Sequence, residues 1–227
     1  MAYSDHANHV FEIAAGLDLA AFSGIACVGT KSYIHSSNKS ITPFSLVNFA
    51  LFLALGGDGT VHEVANGIAY AAMLTRSTTG TPARIPPLCI VPCGTGNNLA
   101  LNIGIQTFDE SIAAALSGQV QLMDLIQMTH PEDTTAPRLE DAIDSSSPPI
   151  RVKYEAEDKK NDLRGSTPYI ESVESRRRFE SAKTAFSDRV VISVNTIGFG
   201  MGVVANKLAV ESLRICGRAQ YLVRCDL

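Results

Sequence analysis

The apolar positions of this 227-residue chain fall into short runs separated by glycine-rich or polar stretches. Val10, Phe11, Ala14, Ala15 and Leu17 recur at helical spacing, which predicts a helix over Ala7–Leu19. SGIACVG (Ser23–Gly29) has the unbroken apolar character of a short buried strand, and Leu46–Leu55 reads as a second strand or a short helix. Val61, Val64, Ala65 and Ile68 mark the inner face of a helix over Val61–Ala72. A strand is expected at Leu88–Val91. TFDESIAAALSG then reads as a helix, with Thr107 and Glu110 as its capping box and Gly118 as its stop. Val120–Met128 reads as a strand, and Arg189–Gly200 as another that enters a glycine-rich turn. Ala205–Val223 reads as a helix. Strands alternating with helices predict a layered α/β/α fold around a largely parallel sheet.

One stretch breaks this rhythm. Pro131–Asp188 holds 13 of the 23 acids and 10 of the 19 bases, with few apolar residues, so a charged, disordered insertion is expected there. The remainder is nearly neutral and apolar. With a net charge of −4, the chain does not look like a nucleic-acid-binding or polybasic membrane protein. Its five cysteines are scattered and form no C-x-x-C pair, so neither a disulfide framework nor a zinc site is indicated, and a reducing, cytoplasmic setting is expected. The start shows no signal pattern. The longest apolar stretch, Phe44–Leu55, is too short to span a bilayer.

Candidate chemistry gathers at two turns. ALGGDGTVHEVANGI (Ala54–Ile68) puts three glycines and one acid where a strand meets a helix. Gly56, Gly57 and Gly59 let backbone N–H groups close on an anion, and the following helix adds its own free N–H groups and dipole. A carboxylate beside a phosphate is repulsive unless it holds Mg²⁺ or accepts a proton from an attacking hydroxyl, so Asp58 is the candidate for either task. In its plain reading the stretch is an ordinary Gly-Asp-Gly turn. Thr60 and Glu63 also read as a capping box, and Glu63 stands open between cap and site residue. PCGTGNN (Pro92–Asn98) repeats the pattern of strand, glycine-rich turn and helix start, with the Asn97 amide available to a ligand or as an N-cap. Two such turns in one sheet can wall a single nucleotide.

GGDGTVHEVANGI followed by IVPCGTGNNLALNIGI resembles the catalytic domain of the diacylglycerol kinase and sphingosine kinase superfamily. NAD kinases and phosphofructokinases share the first motif, and the Pro-x-Gly-Thr-Gly-Asn motif after the next strand points to the lipid kinases. Weaker likenesses lie in DHANHVFEIA, in SGQVQLMDL with Asp124, and in the segment from Val194 to Val223. The resemblance implies an ATP- and Mg²⁺-dependent kinase acting on the hydroxyl of a diacylglycerol-like or sphingoid lipid, with peripheral membrane contact; a non-catalytic nucleotide-binding fragment and an NAD kinase-like enzyme are the alternative readings. It assigns Gly56, Gly57, Asp58, Gly59 and Thr60 to the phosphates and metal, and Gly94, Thr95, Gly96 and Asn97 to the nucleotide cleft. Arg214 matches a basic residue near the phosphates or is a solvated helix charge. The implied domains are a kinase domain over 1–130 that lacks the family's first strand, and the start of a lipid-binding β-sandwich domain over 189–227. Gly202 stands where sphingosine kinases carry an acid, which argues against a sphingoid substrate. Removing Thr30–Gly56 would restore the family pattern, so that segment reads as an insertion or a retained intron; if it stays, NFALFLAL (Asn48–Leu55) is expected to replace GIACV as the central strand, leaving GIACV at an edge or unpaired.

Overall fold

The computed structural model describes residues 2–4, 8–19, 26–30, 52–146, 173–197 and 203–204. Its main sheet has four strands, β1 (Ala2–Ser4), β2 (Ala26–Thr30), β3 (Phe52–Gly56) and β4 (Leu88–Pro92), in the order β1-β2-β3-β4 and all parallel. Parallel neighbours need crossovers, and here α1 (His9–Ala15) joins β1 to β2 while α2 (Asp58–Thr79) joins β3 to β4. Right-handed crossovers that step in one direction put their helices on one face, which makes α1 and α2 neighbours.

They approach closely at Gly67. A Cβ there would collide with the Ala14 methyl and lie 2.8 Å from the Phe11 carbonyl oxygen and 2.9 Å from the Ala15 nitrogen. Gly67→Ala therefore sets a helix-propensity gain of about 1 kcal/mol against backbone atoms that cannot rotate away. Overpacking prevails, so a net loss of about 1–3 kcal/mol is expected. It would be read as a lower denaturation midpoint; an unchanged or raised midpoint would mean α1 does not seat there.

Local signals set most of the helix ends. α4 (Phe108–Ser117) has the predicted capping box: Thr107 accepts from the Glu110 N–H while the Glu110 carboxylate accepts from the N–H of Thr107, and the helix ends at Gly118. α2 differs from expectation. It begins at Asp58, with Gly57 as an N-cap that has no side-chain bond, so Thr60 lies inside the first turn and caps nothing. α2 also runs on to Thr79, and beyond its predicted face it buries the whole stretch from Asn66 to Thr75.

Three other expectations need correction. β2 is not displaced by β3; it lies between β1 and β3, and β3 is drawn from the segment read as extra. The strand expected over Val120–Met128 forms only as β5 (Ile126–Thr129). The stretch read as disordered is built into the fold at both ends. α5 (Leu139–Ala142) buries Leu139 and Ala142, and α6 (Val173–Phe186) buries Phe179, Ala182 and Phe186 in the common core. Composition hid this because the polar face of α6 is dense in charge, whereas its three apolar anchors recur at spacings of three and four. Phe11 stacks edge-on against Tyr70 (5.1 Å) and Phe179 (5.9 Å), and Tyr70 against Phe186 (5.8 Å), so an aromatic cluster ties α6 to α1 and α2.

β6 (Val190–Ser193) pairs antiparallel with β5 as a second sheet, Gln127 opposite Ile192 and Thr129 opposite Val190. A boundary at residue 130 would cut this pair. Arg189, just before β6, makes a bidentate contact with Asp133 at 2.7 and 3.0 Å, fixing the loop after β5 and holding the Asp133 carboxyl far below its ordinary range. Val190, Ile192 and Val194 share the core with α2. The helix expected over Ala205–Val223 lies outside the described residues.

Candidate active site

β3 and β4 are neighbours in register, Gly56 opposite Pro92, so the two glycine-rich turns leave the sheet side by side at its carboxyl edge. The Cys93 N–H donates to the Gly56 carbonyl at 3.0 Å, extending the pairing by one residue into the turns. The turns then touch. A Cβ on Gly94 would fall on the Gly57 Cα and lie 2.7 Å from the Gly57 nitrogen, and one on Gly57 would lie 3.0 Å from the Gly94 Cα. Glycine is needed at both positions because two backbones cross with no room for a side chain.

Each turn is braced by its own residues. The Asn97 side chain accepts from the Gly94 N–H and donates to the Gly94 carbonyl, both at 2.8 Å. This closes the turn from Gly94 to Asn97 and leaves Asn97 in the left-handed region, with φ of 57°. Its amide, expected to serve a ligand or to cap a helix, is engaged in the turn itself. Thr95 and Gly96 stay exposed. In the first turn the Thr60 side chain covers Gly56 so closely that no Cβ would fit there.

Asp58 joins the two turns. Its Oδ2 accepts from the Asn98 N–H and its Oδ1 from the Leu99 N–H, each at 3.0 Å. These are donors in the first turn of α3 (Asn98–Asn102), whose own N-cap residue Asn97 makes no side-chain cap bond. A carboxylate from one turn therefore caps the helix that leaves the other, forty residues away. Gly96 lies against it: a Cβ there would be 2.8 Å from Asp58 Oδ2. Each carboxylate oxygen retains a lone pair beyond the one its N–H occupies.

Three first-turn donors of α2, the N–H groups of Asp58, Gly59 and Thr60, precede the first intrahelical bond, Val61 N–H to Gly57 carbonyl at 3.1 Å, and no side chain among the described residues caps them. Gly59 is exposed, and a Cβ there would meet nothing within 4 Å. An open helix N-terminus beside a tight double turn has the donors and space that a polyphosphate needs.

Glu63 forms no capping box with Thr60, which lies within the first turn of α2. The N–H groups of Asn8 and Phe11 hydrogen-bond its carboxylate, so it caps α1 from the flank of α2. Burial outweighs those bonds and raises its pKa above the ordinary glutamate value. His62 is exposed, and partial burial of its ring lowers its pKa. Cys89 and Cys93 lie on β4 and just after it. Burial pushes the Cys89 thiol up to about 11 and raises that of Cys93, which makes both poor nucleophiles at neutral pH. Asp124 sits in an exposed stretch before β5, and Arg214 lies outside the described residues. Among the described residues, no three His, Cys, Asp or Glu side chains cluster as metal ligands.

Sequence reasoning missed Asn66 altogether. It is buried on α2 and bonded to the main chain of β6. The available signal was one amide within the otherwise apolar run from Val64 to Leu74.

Residues 35–128 match the family model of the diacylglycerol kinase catalytic domain. The matched range holds both turns and begins within the segment read as extra. Sphingosine kinase B of Dictyostelium discoideum is 36% identical over 83 residues, 37% of this chain and 10% of that protein. The chain thus spans about a tenth of the length of this curated relative. No solved structure matches. Over residues 35–128 the chain carries a catalytic domain of the diacylglycerol kinase and sphingosine kinase superfamily.

Proposed function

We propose that the two turns form one cradle for the phosphates of ATP, and that the protein transfers the γ-phosphate to a lipid hydroxyl, most like that of diacylglycerol. One observation supports this above the others: Gly57 and Gly94 cross in direct backbone contact beside the uncapped start of α2. A cradle of this kind presents several N–H groups to one anion and leaves no side chain in its way.

In this reading Gly56, Gly57, Gly59 and Thr60 meet the phosphates from one side, and Gly94, Thr95 and Gly96 from the other. Asn97 acts indirectly, by fixing the second turn. Arg214 adds positive charge. Mg²⁺ suits a site with one carboxylate, because it keeps several waters and shares the substrate's phosphate oxygens. It would neutralise charge on those oxygens. Asp58 would hold it through a free lone pair, or use that lone pair to accept the proton of the attacking hydroxyl. The two N–H groups from α3 keep the carboxylate oriented, so its position does not depend on the ligand. β5 and β6 would open the lipid-binding sheet in this scheme, and the main sheet would form the middle of an α/β/α sandwich.

Among the described residues no helix is long and apolar enough to cross a membrane, so the lipid would be reached by peripheral docking. The test is transfer of labelled γ-phosphate from ATP in mixed micelles containing diacylglycerol, with sphingosine and NAD as separate acceptors. Labelled phosphatidic acid is the expected product. A labelled nicotinamide dinucleotide, or no labelled product in any arm, would overturn the assignment.

A further inference from the structure

Asn66 sits eight residues beyond the start of α2, about 12 Å along its axis, and is 7% exposed. Its Nδ2 donates to the Ile192 carbonyl at 2.7 Å and to the His62 carbonyl at 2.9 Å, while its Oδ1 accepts from the Ile192 N–H at 2.8 Å. A side-chain amide carries the donor and acceptor of a peptide group, so Asn66 stands where a neighbouring strand would stand. In an antiparallel ladder, facing residues exchange both bonds or neither. Ile192 gives both to Asn66, so its facing pair with Gln127 is a non-bonded one, and β6 is held between β5 on one edge and a helix side chain on the other. One turn further along α2, the Tyr70 hydroxyl donates to the Val190 carbonyl at 2.6 Å. Asn66 and Tyr70 together bind alternate residues of one strand edge.

The placement gives this clamp its meaning. The first turn of α2 contains Asp58 and borders the proposed phosphate cradle, and β6 leads directly into the next glycine-rich stretch, beginning at Asn195. We infer that Asn66 is a positioning residue for phosphoryl transfer: it fixes the second sheet, and the substrate that sheet would hold, in register with the helix that starts at the phosphate cradle. This inference rests on the function proposed above. In-line transfer depends steeply on placement, with shifts of about 1 Å costing on the order of 100-fold in rate, so a two-bond amide lock is better suited to the task than apolar packing alone.

The test uses the whole chain with Asn66→Asp, which keeps the shape and the acceptor but turns an oxygen toward the Ile192 carbonyl, and with Asn66→Ala. Amide exchange at Ile192 should quicken at least tenfold in Asn66→Ala, which removes the acceptor of its N–H. In Asn66→Asp, kcat per nucleotide-binding site should fall at least tenfold while KM for ATP stays within about twofold. A side chain that only supported the core would lower the number of competent sites and leave kcat per site unchanged; that result would overturn the positioning role. Unchanged Ile192 exchange in Asn66→Ala would overturn the clamp itself. Absence of transfer by the unmodified protein would instead defeat the function reading, and the catalytic meaning of the clamp with it.

Discussion

Gly94→Ala should weaken binding of Mg·ATP by at least 100-fold. The new methyl would fall on the Gly57 Cα, 2.7 Å from the Gly57 nitrogen and 3.0 Å from Asn97 Oδ1. Neither backbone can yield by changing a rotamer. The turns must separate, and the Asn97 brace on Gly94 must loosen as they do. A 100-fold loss corresponds to roughly 3 kcal/mol, which is reasonable when several N–H groups lose their common focus. Gly59→Ala is the control for stability: its Cβ meets nothing, and alanine favours the helix, so the denaturation midpoint should hold or rise. Titration calorimetry and thermal denaturation of the two variants check both statements. Undiminished nucleotide binding by a folded Gly94→Ala variant would show that the crossing of the turns serves the fold alone.

Asp58→Asn should cut phosphate transfer by about 100-fold or more, within the range that general-base or metal-ligand loss produces. The structure adds a second effect that the sequence did not suggest. A carboxamide can accept only one of the N–H groups of Asn98 and Leu99, and it presents an NH₂ to the other. The start of α3 then loses a charge-assisted cap, at a stability cost of about 1–3 kcal/mol. The effects separate experimentally: denaturation reports the cap, and kcat in enzyme confirmed as folded reports the chemistry. Transfer within twofold of the parent would confine Asp58 to its bridging role.

The parts legible in the sequence were those whose causes are local. Thr107, Glu110 and Gly118 specify α4 within twelve residues, and the alternation of strands with glycine-rich turns pointed to a parallel sheet, though not to β3, which comes from the segment read as extra. The misread parts have distant causes. Thr60 and Glu63 have capping-box spacing, but α2 starts earlier, at Asp58 with Gly57 as its N-cap, and the Glu63 carboxylate meets the N–H groups of Asn8 and Phe11 at the start of α1. α6 was hidden by charge, and its helix is decided by Phe179 and Phe186 finding Phe11 and Tyr70 more than a hundred residues away. Asp58 was recognised as chemically important, yet its bond to the other turn is visible only after folding. Asn66 reads as one polar residue on a helix until β6 arrives beside it.

Amide hydrogen exchange of the intact protein, with and without Mg·ATP, tests most directly whether the two turns are one site. The proposal predicts simultaneous slowing over 57–60 and 94–97, at a single ATP concentration midpoint. Slowing in one turn alone, or in neither at saturating Mg·ATP, would contradict it.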